Sequence, residues 1–409
     1  MAIQIKRGTS AQRKASEVVL EAGQPFLETD TGNLFVGKTG TEKLKDLTLY
    51  DSYPSLKTLR ELGLLVDSKR RIYGVDLVGS KDPNALVRTD AAQGLNITVG
   101  TSEITSDFDD YYPWSDIEEV KDDVTGNVFI KIPKFYSKIT KNSDGTYKHQ
   151  LSGTKYEGFD TLFKIGEKEI DYVMVGKYEG SGSSSKVYSK SGQTPLVNIT
   201  MDDFRIGCKA NGAGYQQYDF LIDLIIKELW LVEMATTNCY SVMNGFTPGP
   251  DNTPLNTGTT DSVSTSSGSP VSNTGGRHAC KYRGIENPWG NLTEFCDGIS
   301  FTGDNSVMIC TTPQHYKTAD TTYPYVKYGT RAESPYWEGV KVVTPLNNSL
   351  IQYVTEIGSS VGTYYCDNTV QDGYILGCSG NGLWNWNGGL RVDSKSIRLG
   401  GRLCYKPTT

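Results

Sequence analysis

Histidine is scarce: three in 409 residues, at His149, His278 and His315. Scatter that wide argues against a histidine metal centre or a histidine acid–base pair. Basic residues are in deficit, with 41 Lys+Arg against 47 Asp+Glu and a net charge of −6. Binding nucleic acid or anionic membrane generally requires a basic excess to neutralise phosphates, so neither is expected as a partner. Cysteine is absent until Cys208, and all eight then follow, ending at Cys404. No C-x-x-C occurs, and the closest pair, Cys366 and Cys378, is twelve apart. Paired zinc-knuckle spacing is therefore missing, and buried, reduced thiols packing as small hydrophobes are expected. Long apolar runs are missing too. The best candidate, 220–235, contains Asp223, Lys227, Glu228 and Glu233. It is too short and too charged for a membrane span. Lys6, Arg7, Arg13 and Lys14 enclose no apolar core, so no secretory signal is read there.

What is abundant is glycine, at 44 residues, and tyrosine, at 25. Together they suggest turn-rich β structure with aromatic groups available for surfaces. Residues 1–48 read as a small β domain. Ile3 and Ile5 alternate with Gln4 and Lys6, and LETDTGNLFVG reads as strand, turn and strand, with Gly32 supplying the positive φ of the turn. So short a unit buries little surface, and association with copies of itself would complete it. Residues 49–100 read as a connector, with Leu56, Leu59, Leu62 and Leu65 on one face of a short helix. Residues 101–409 read as one mixed domain. NVFIKIP is a strand whose Pro133 confines it to an edge or a bulge. Thr200 should cap a helix with Asp202 and Asp203 in its first turn. A second helix, about 218–236, has a narrow polar stripe of Asp219, Asp223 and Lys227, and its greasy remainder places it in a core. The Thr-, Ser- and Gly-rich stretch 247–276 has no aromatic residue and reads as a long surface loop inserted in this domain. The fold class expected is α+β and β-rich, with two helices and many short strands.

Catalytic motifs are absent. The nearest approach to G-x-S-x-G, at Gly180-Ser181-Gly182-Ser183-Ser184, lacks its final glycine and lies in a polar tract. No D-x-[DN]-x-[DN]-G run supports a Ca²⁺ loop, so Ca²⁺ on the paired-acid loops stays open without a motif behind it, and no other cofactor or metal is expected. The informative segment is GCSGNGLWNWNGGLRVDSKSIRLGGRLCYKP. Trp384, Asn385, Trp386 and Asn387 stand between glycines, and Leu390 and Val392 alternate with Arg391 and Asp393. Strand parity sends Arg391, Asp393 and Lys395 outward from a hairpin. Rigid aromatics, short amides and charges on glycine-held loops are the composition of a recognition surface. Ile397–Leu403 is expected to be core strand behind it.

At YRGIENPWGNLTEFCDGI (282–299) and IRLGGRL (397–403) the chain resembles the C-type-lectin-like domain of phage tail-fibre and variable receptor-binding proteins, a fold shared with formylglycine-generating enzymes. IQIKRGTSAQ and LETDTGNLFVG are similar to the opening domain of phage tail fibres of the tropism-determinant type. PWSDI, NVFIKIPKFY and NGAGYQQYDF are similar to the middle of such proteins. The resemblance implies a homotrimeric virion protein of tail fibre or baseplate, assembled in the host cytoplasm. Its N-terminal domain would join other tail proteins, and its lectin-like domain would bind a host-surface protein or glycan. In members diversified by reverse transcription, the variable positions precede the final strand, which carries onto Asn385, Asn387, Arg391, Asp393, Lys395 and Arg398. The enzyme reading of the same fold needs a closely placed cysteine pair and an R-G-G-S-W run. The run is absent and Cys404 falls behind the final strand motif, so no enzyme activity is expected.

Overall fold

The structure is a computed structural model that describes residues 6–8, 11, 12, 15, 17, 19, 25–28, 34–36, 43, 68–77, 86–246, 253–275, 277–304, 306–318, 320, 322–330, 340–346, 349–357, 366–367, 374–378, 382–384 and 386–408. The chain divides into two compact units, 1–67 and 68–409.

In the first unit, Lys6–Gly8 runs parallel to Pro25–Glu28, which pairs antiparallel with Leu34–Val36. The strand–turn–strand reading of 27–37 therefore corresponds to a hairpin, with Phe26 opposite Phe35 and Phe26 buried. Ile3, Ile5 and the leucine stripe at 56–65 lie outside the described residues.

The second unit is built on short, mostly antiparallel strands with two α-helices among the described residues, so the chain is β-rich as its composition suggests. No helix among them is long and apolar enough to cross a membrane. The connector expected over 49–100 is divided. From Ser68 onward it belongs to this unit, because Ile72–Leu77 is sandwiched between Val87–Asp90 and Tyr147–Ser152. The hydrogen-bond partner 147–152 lies far along the chain, and local periodicity does not reveal such a pairing.

Helix α1, Met201–Lys209, begins where Thr200 accepts a hydrogen bond from Asp203 N, with Asp202 and Asp203 in the first turn as expected. Its Met201, Phe204 and Cys208 pack with Phe129, Val187, Phe295, Leu399 and Leu403 in one of two main cores. Helix α2, Phe220–Met234, is capped by Asp219, whose side chain accepts from Ile222 N. It ends at Ala235, where a left-handed φ of 49° lets the amide N–H reach Leu231 O. Every residue of α2 is buried, so the helix is the axis of the larger core. Trp230 meets Tyr282 and Trp289 edge-on, with ring centroids 5.1 and 5.0 Å apart. Its polar stripe is buried as well. Lys227 Nζ lies 2.5 Å from Asp223 Oδ2, and Glu233 takes the guanidinium of Arg283 at 2.5 Å.

Two expectations need correcting. Strand Val128–Pro133 is not an edge strand: it lies between Glu118–Lys121 and Tyr172–Gly176. Pro133 is tolerated because Glu118–Lys121 covers only Val128 to Lys131, so Pro133, opposite Tyr172, is beyond the reach of that neighbour. Both faces of the strand are buried, with Ile130 and Ile132 in the α2 core and Phe129 in the α1 core. The stretch 247–276 is not a loose surface loop over its described part. Ser267–Gly268 is a strand between Glu103–Ser106 and Lys281–Tyr282. Gly258 N and Thr260 N donate to the buried Glu286 carboxylate at 2.8 and 2.7 Å. Composition underrates this segment because its side chains and amides are buried as hydrogen-bond partners rather than as apolar area.

His149 faces the interior of the four-stranded sheet, fully buried, between Val75 and Ile139. Burial holds its pKa down at about 3, whereas an unfolded imidazole titrates near 6.5. The unfolded state therefore binds a proton that the folded state refuses between those values. Stability is full above about pH 6.5 and falls toward pH 3 by up to about 1.4 kcal/mol per pH unit from this group. Chemical denaturation at pH 7 and pH 5 should show this loss, and His149→Leu should shrink it. An unchanged slope in the variant would refute the assignment.

Candidate functional site

The candidate recognition segment is carried on a five-stranded sheet in the order Cys366–Asp367, Trp386–Arg391, Tyr374–Cys378, Thr293–Cys296, Leu399–Gly400. Trp386–Arg391 pairs antiparallel with Tyr374–Cys378 and parallel with Cys366–Asp367. The far edge, Leu399–Gly400, runs parallel to Thr293–Cys296. The chain then crosses to another sheet, where Leu403–Tyr405 lies between Tyr215–Gln217 and Tyr172–Gly176.

Arg402 fixes this crossing. Its guanidinium is buried and spends its N–H groups on four carbonyls and one carboxylate. Nη1 donates to Gly176 O and Lys177 O at 2.9 and 3.0 Å, and Nη2 to Glu286 O and Asn287 O at 2.9 and 3.2 Å. Nε donates to Glu294 Oε1 at 3.0 Å. Burial pushes the Glu294 pKa up while Arg402 pulls it down, and Glu179, buried beside them, is held well above the usual carboxylate range. The two glycines before Arg402 allow the close approach. A Cβ on Gly400 would come within 2.8 Å of Leu196 O, and one on Gly401 within 2.8 Å of the Phe204 ring.

Between the strands ending at Arg391 and beginning at Leu399 the chain makes an exposed turn. Arg391 N donates to Ser394 Oγ and Ser394 N to Arg391 O, both at 2.9 Å. Arg391 Nε lies 3.3 Å from Asp393 Oδ1, with both side chains more than 70% exposed, so this pair contributes little to folding. Lys395 is exposed and Arg398 half-buried. Ser396 O accepts from Asn198 N at 3.0 Å and fastens the turn to the body.

The structure thus brings Arg391, Asp393, Lys395 and Arg398 onto one turn and leaves the first three accessible, but not through strand parity: the strand ends at Arg391, and Val392, expected to face inward, is 40% exposed. It does not place Trp384 there. Trp384 is 1% exposed and packs in the α2 core with Leu376 and Cys378, its ring 5.8 Å from Lys227 Nζ. Trp384 stands in a turn ahead of the strand that begins at Trp386, and its ring goes into the core instead of the recognition surface. The Trp386 and Asn387 backbones lie in the strand, opposite Cys378 and Gly377; their side chains and all of Asn385 fall outside the described residues. Ile397 is also displaced from its expected role. It is 37% exposed, and the core position is Leu399, at 3%. Arg402 and Glu294 are residues the sequence reading missed. The signal was a lone arginine inside the apolar IRLGGRL run, which must be paired if the run is core.

Cys208, Cys239, Cys280, Cys296, Cys310, Cys378 and Cys404 are free thiols, all buried, and burial raises the pKa of each. Among the described residues no three His, Cys, Asp or Glu side chains group to hold a metal ion.

No family model and no curated protein matches the chain. Among solved structures, the Major Tropism Determinant I1 variant aligns with 99% of this chain and 99% of its own length, at 9% identity and a TM-score of 0.24. The M1 variant gives 8% identity and a TM-score of 0.23 over the same shares, and the P3c variant 9% and 0.23 over 98% and 99%. Superpositions that loose carry no argument for a shared fold.

Because Trp384 is core and Arg391 and Asp393 are not, their truncations should separate. Trp384→Ala should cost about 3–5 kcal/mol and Leu399→Ala about 2–5 kcal/mol. Arg391→Ala and Asp393→Ala should stay within about 0.5 kcal/mol. Urea midpoints at constant slope measure this, and a stable Trp384→Ala variant would return that residue to the surface.

Proposed function

We propose that this chain is a phage virion receptor-binding protein of the tail fibre or baseplate, which contacts a host-surface protein or glycan through the 391–398 turn. The observation that carries the reading is the division of labour around that turn. Arg391, Asp393 and Lys395 are accessible, and the only contacts described for their side chains are local, whereas the chain that follows the turn is fixed by the buried Leu399 and Arg402. A surface that can change without unfolding its support is what recognition requires. The sequence motifs at 282–299 and 397–403, in their order along the chain, support the lectin-like frame and the tail-fibre context.

The reading is of a binding protein and not of an enzyme. The described thiols are buried with raised pKa values, a poor environment for a nucleophile. The 1–67 unit is read as the part that joins other tail proteins and self-associates into a homotrimer.

Two measurements test this. The purified chain should compete with phage particles for adsorption to host cells, and Arg391→Ala or Lys395→Ala should weaken cell binding by about 1–3 kcal/mol while leaving the melting temperature in place. Unaltered cell binding in both variants would remove the turn as the contact, and failure of the intact chain to compete would favour a purely structural tip protein. Separately, light scattering should give roughly three times the 45.0 kDa chain mass. A stable monomer at micromolar concentration would sink the trimer.

A further inference from the structure

A second site lies away from the 386–398 segment, with which it shares no lining residue. It is a cavity of about 480 Å³ between strand Tyr136–Lys141, the loop 158–164 and helix α2. That volume is within the roughly 300–1,000 Å³ of small-molecule sites. Phe220, Leu221 and Leu224 of α2 form an apolar wall, and Glu228 lines it one turn further on.

Glu228 is the anomaly of α2. The helix's other charged side chains are ion-paired: Asp223 with Lys227, and Glu233 with Arg283. Glu228, 3% exposed, has no cation partner among the described residues. Its Oε1 accepts from Ser137 Oγ at 2.8 Å, and its Oε2 has no hydrogen-bond partner among the described residues. Burial, aided by Asp160, pushes its pKa up to about 8. At neutral pH it is therefore mostly a neutral acid with an O–H to donate. A buried polar atom left without a partner calls for one.

The rest of the lining states what that partner carries. Lys138 and Lys164 line the cavity without an ion pair among the described residues, and with Glu228 protonated they face one carboxylate, Asp160. The balance favours an anion. Gly158, at φ +77°, leaves the space that Lys138 uses, since a Cβ there would come within 2.9 Å of Lys138 Nζ. Two hydroxyls have already spent their protons inward: Ser137 on Glu228, and Thr161 on Phe135 O at 2.7 Å. The Thr161 oxygen also accepts from Phe163 N at 3.2 Å, so it is Ser137 and Asp160 that offer lone pairs, and the ligand must bring donors as well as negative charge.

We propose that this cavity binds a hydroxylated carboxylate of the sugar-acid class, its carboxylate between Lys138 and Lys164, its hydroxyls donating to Ser137 and Asp160, and one oxygen accepting from Glu228. The apolar wall suits the C–H face of the ring. This site is independent of the 391–398 turn and stands or falls without it.

The test is calorimetric titration, with saturation-transfer NMR, of the full chain with methyl glucuronide and methyl galacturonide, using methyl glucoside as the neutral control. The uronides should bind at least about tenfold more tightly than the control, a difference of about 1.4 kcal/mol. Lys138→Ala and Lys164→Ala should each remove about that factor. Glu228→Gln should retain binding, because its amide still donates. Glu228→Leu should lose it, and the Gln variant shows whether the position tolerates change without unfolding. Equal affinity for uronide and glucoside, unchanged binding in both lysine variants, or no binding at about 10 mM would each overturn the proposal.

Discussion

Five hydrogen-bond partners around one buried guanidinium hold the second unit together. Arg402 joins the end of the Tyr172–Gly176 strand, the turn after Ile285–Glu286, and Glu294 of the sheet that carries the candidate turn. These groups come from three sheets, and no apolar side chain could satisfy four carbonyls at once. Removing a buried charge from water is costly, and only complete pairing offsets it. The arrangement is therefore all or nothing: a lysine could carry the charge but could not reach in five directions from one plane. The sheet that presents Arg391 and Asp393 inherits its position from this contact.

The same logic recurs along α2. A helix buried on every side has no solvent face for its charges, so each must find an internal partner. Lys406 reaches Asp219 at 2.5 Å, where the carboxylate also caps the helix and accepts from Tyr316 at 2.8 Å. Arg205 grips Asp297 with Nε at 2.6 Å and Nη2 at 2.8 Å, linking α1 to the residue after the Thr293–Cys296 strand. Geometry of this kind fixes orientation more than it adds stability. Apolar side chains could fill the volume, but they would not dictate which helix end meets which strand. Glu228 stands out against that background because, of the charges of α2, it has no counter-ion among the described residues.

Much of the local structure was legible. Thr200 and the acids after it define a helix start, and the apolar density of 220–234 places that helix in a core. Arg391, Asp393 and Lys395 are outside as expected, but because they stand at a strand end and in the turn after it, not through alternation. What was hidden falls into two kinds. Non-local pairing is invisible to periodicity, so the strand at 72–77, with its partner at 147–152, was read as connector. Burial through hydrogen bonds is invisible to hydropathy, so Thr257, Thr260 and Ser267 were read as a surface loop although they are buried. Trp384 and Ile397 each stand in a turn two residues ahead of a strand, which neither the composition of 384–387 nor the reading of 397–403 as one core strand could show.

The place of Leu403–Tyr405 has a consequence for synthesis. This strand is interior, inserted between Tyr215–Gln217 and Tyr172–Gly176, yet it comes late in the sequence. As the chain leaves the ribosome, its two neighbours emerge about 190 and 230 residues earlier and must wait with unpaired edges until it arrives. Arg402, which neutralises the Glu294 and Glu179 environment, arrives with it. The growing chain thus carries an open slot from Gln217 until Leu403 is made, and this one strand closes the sheet.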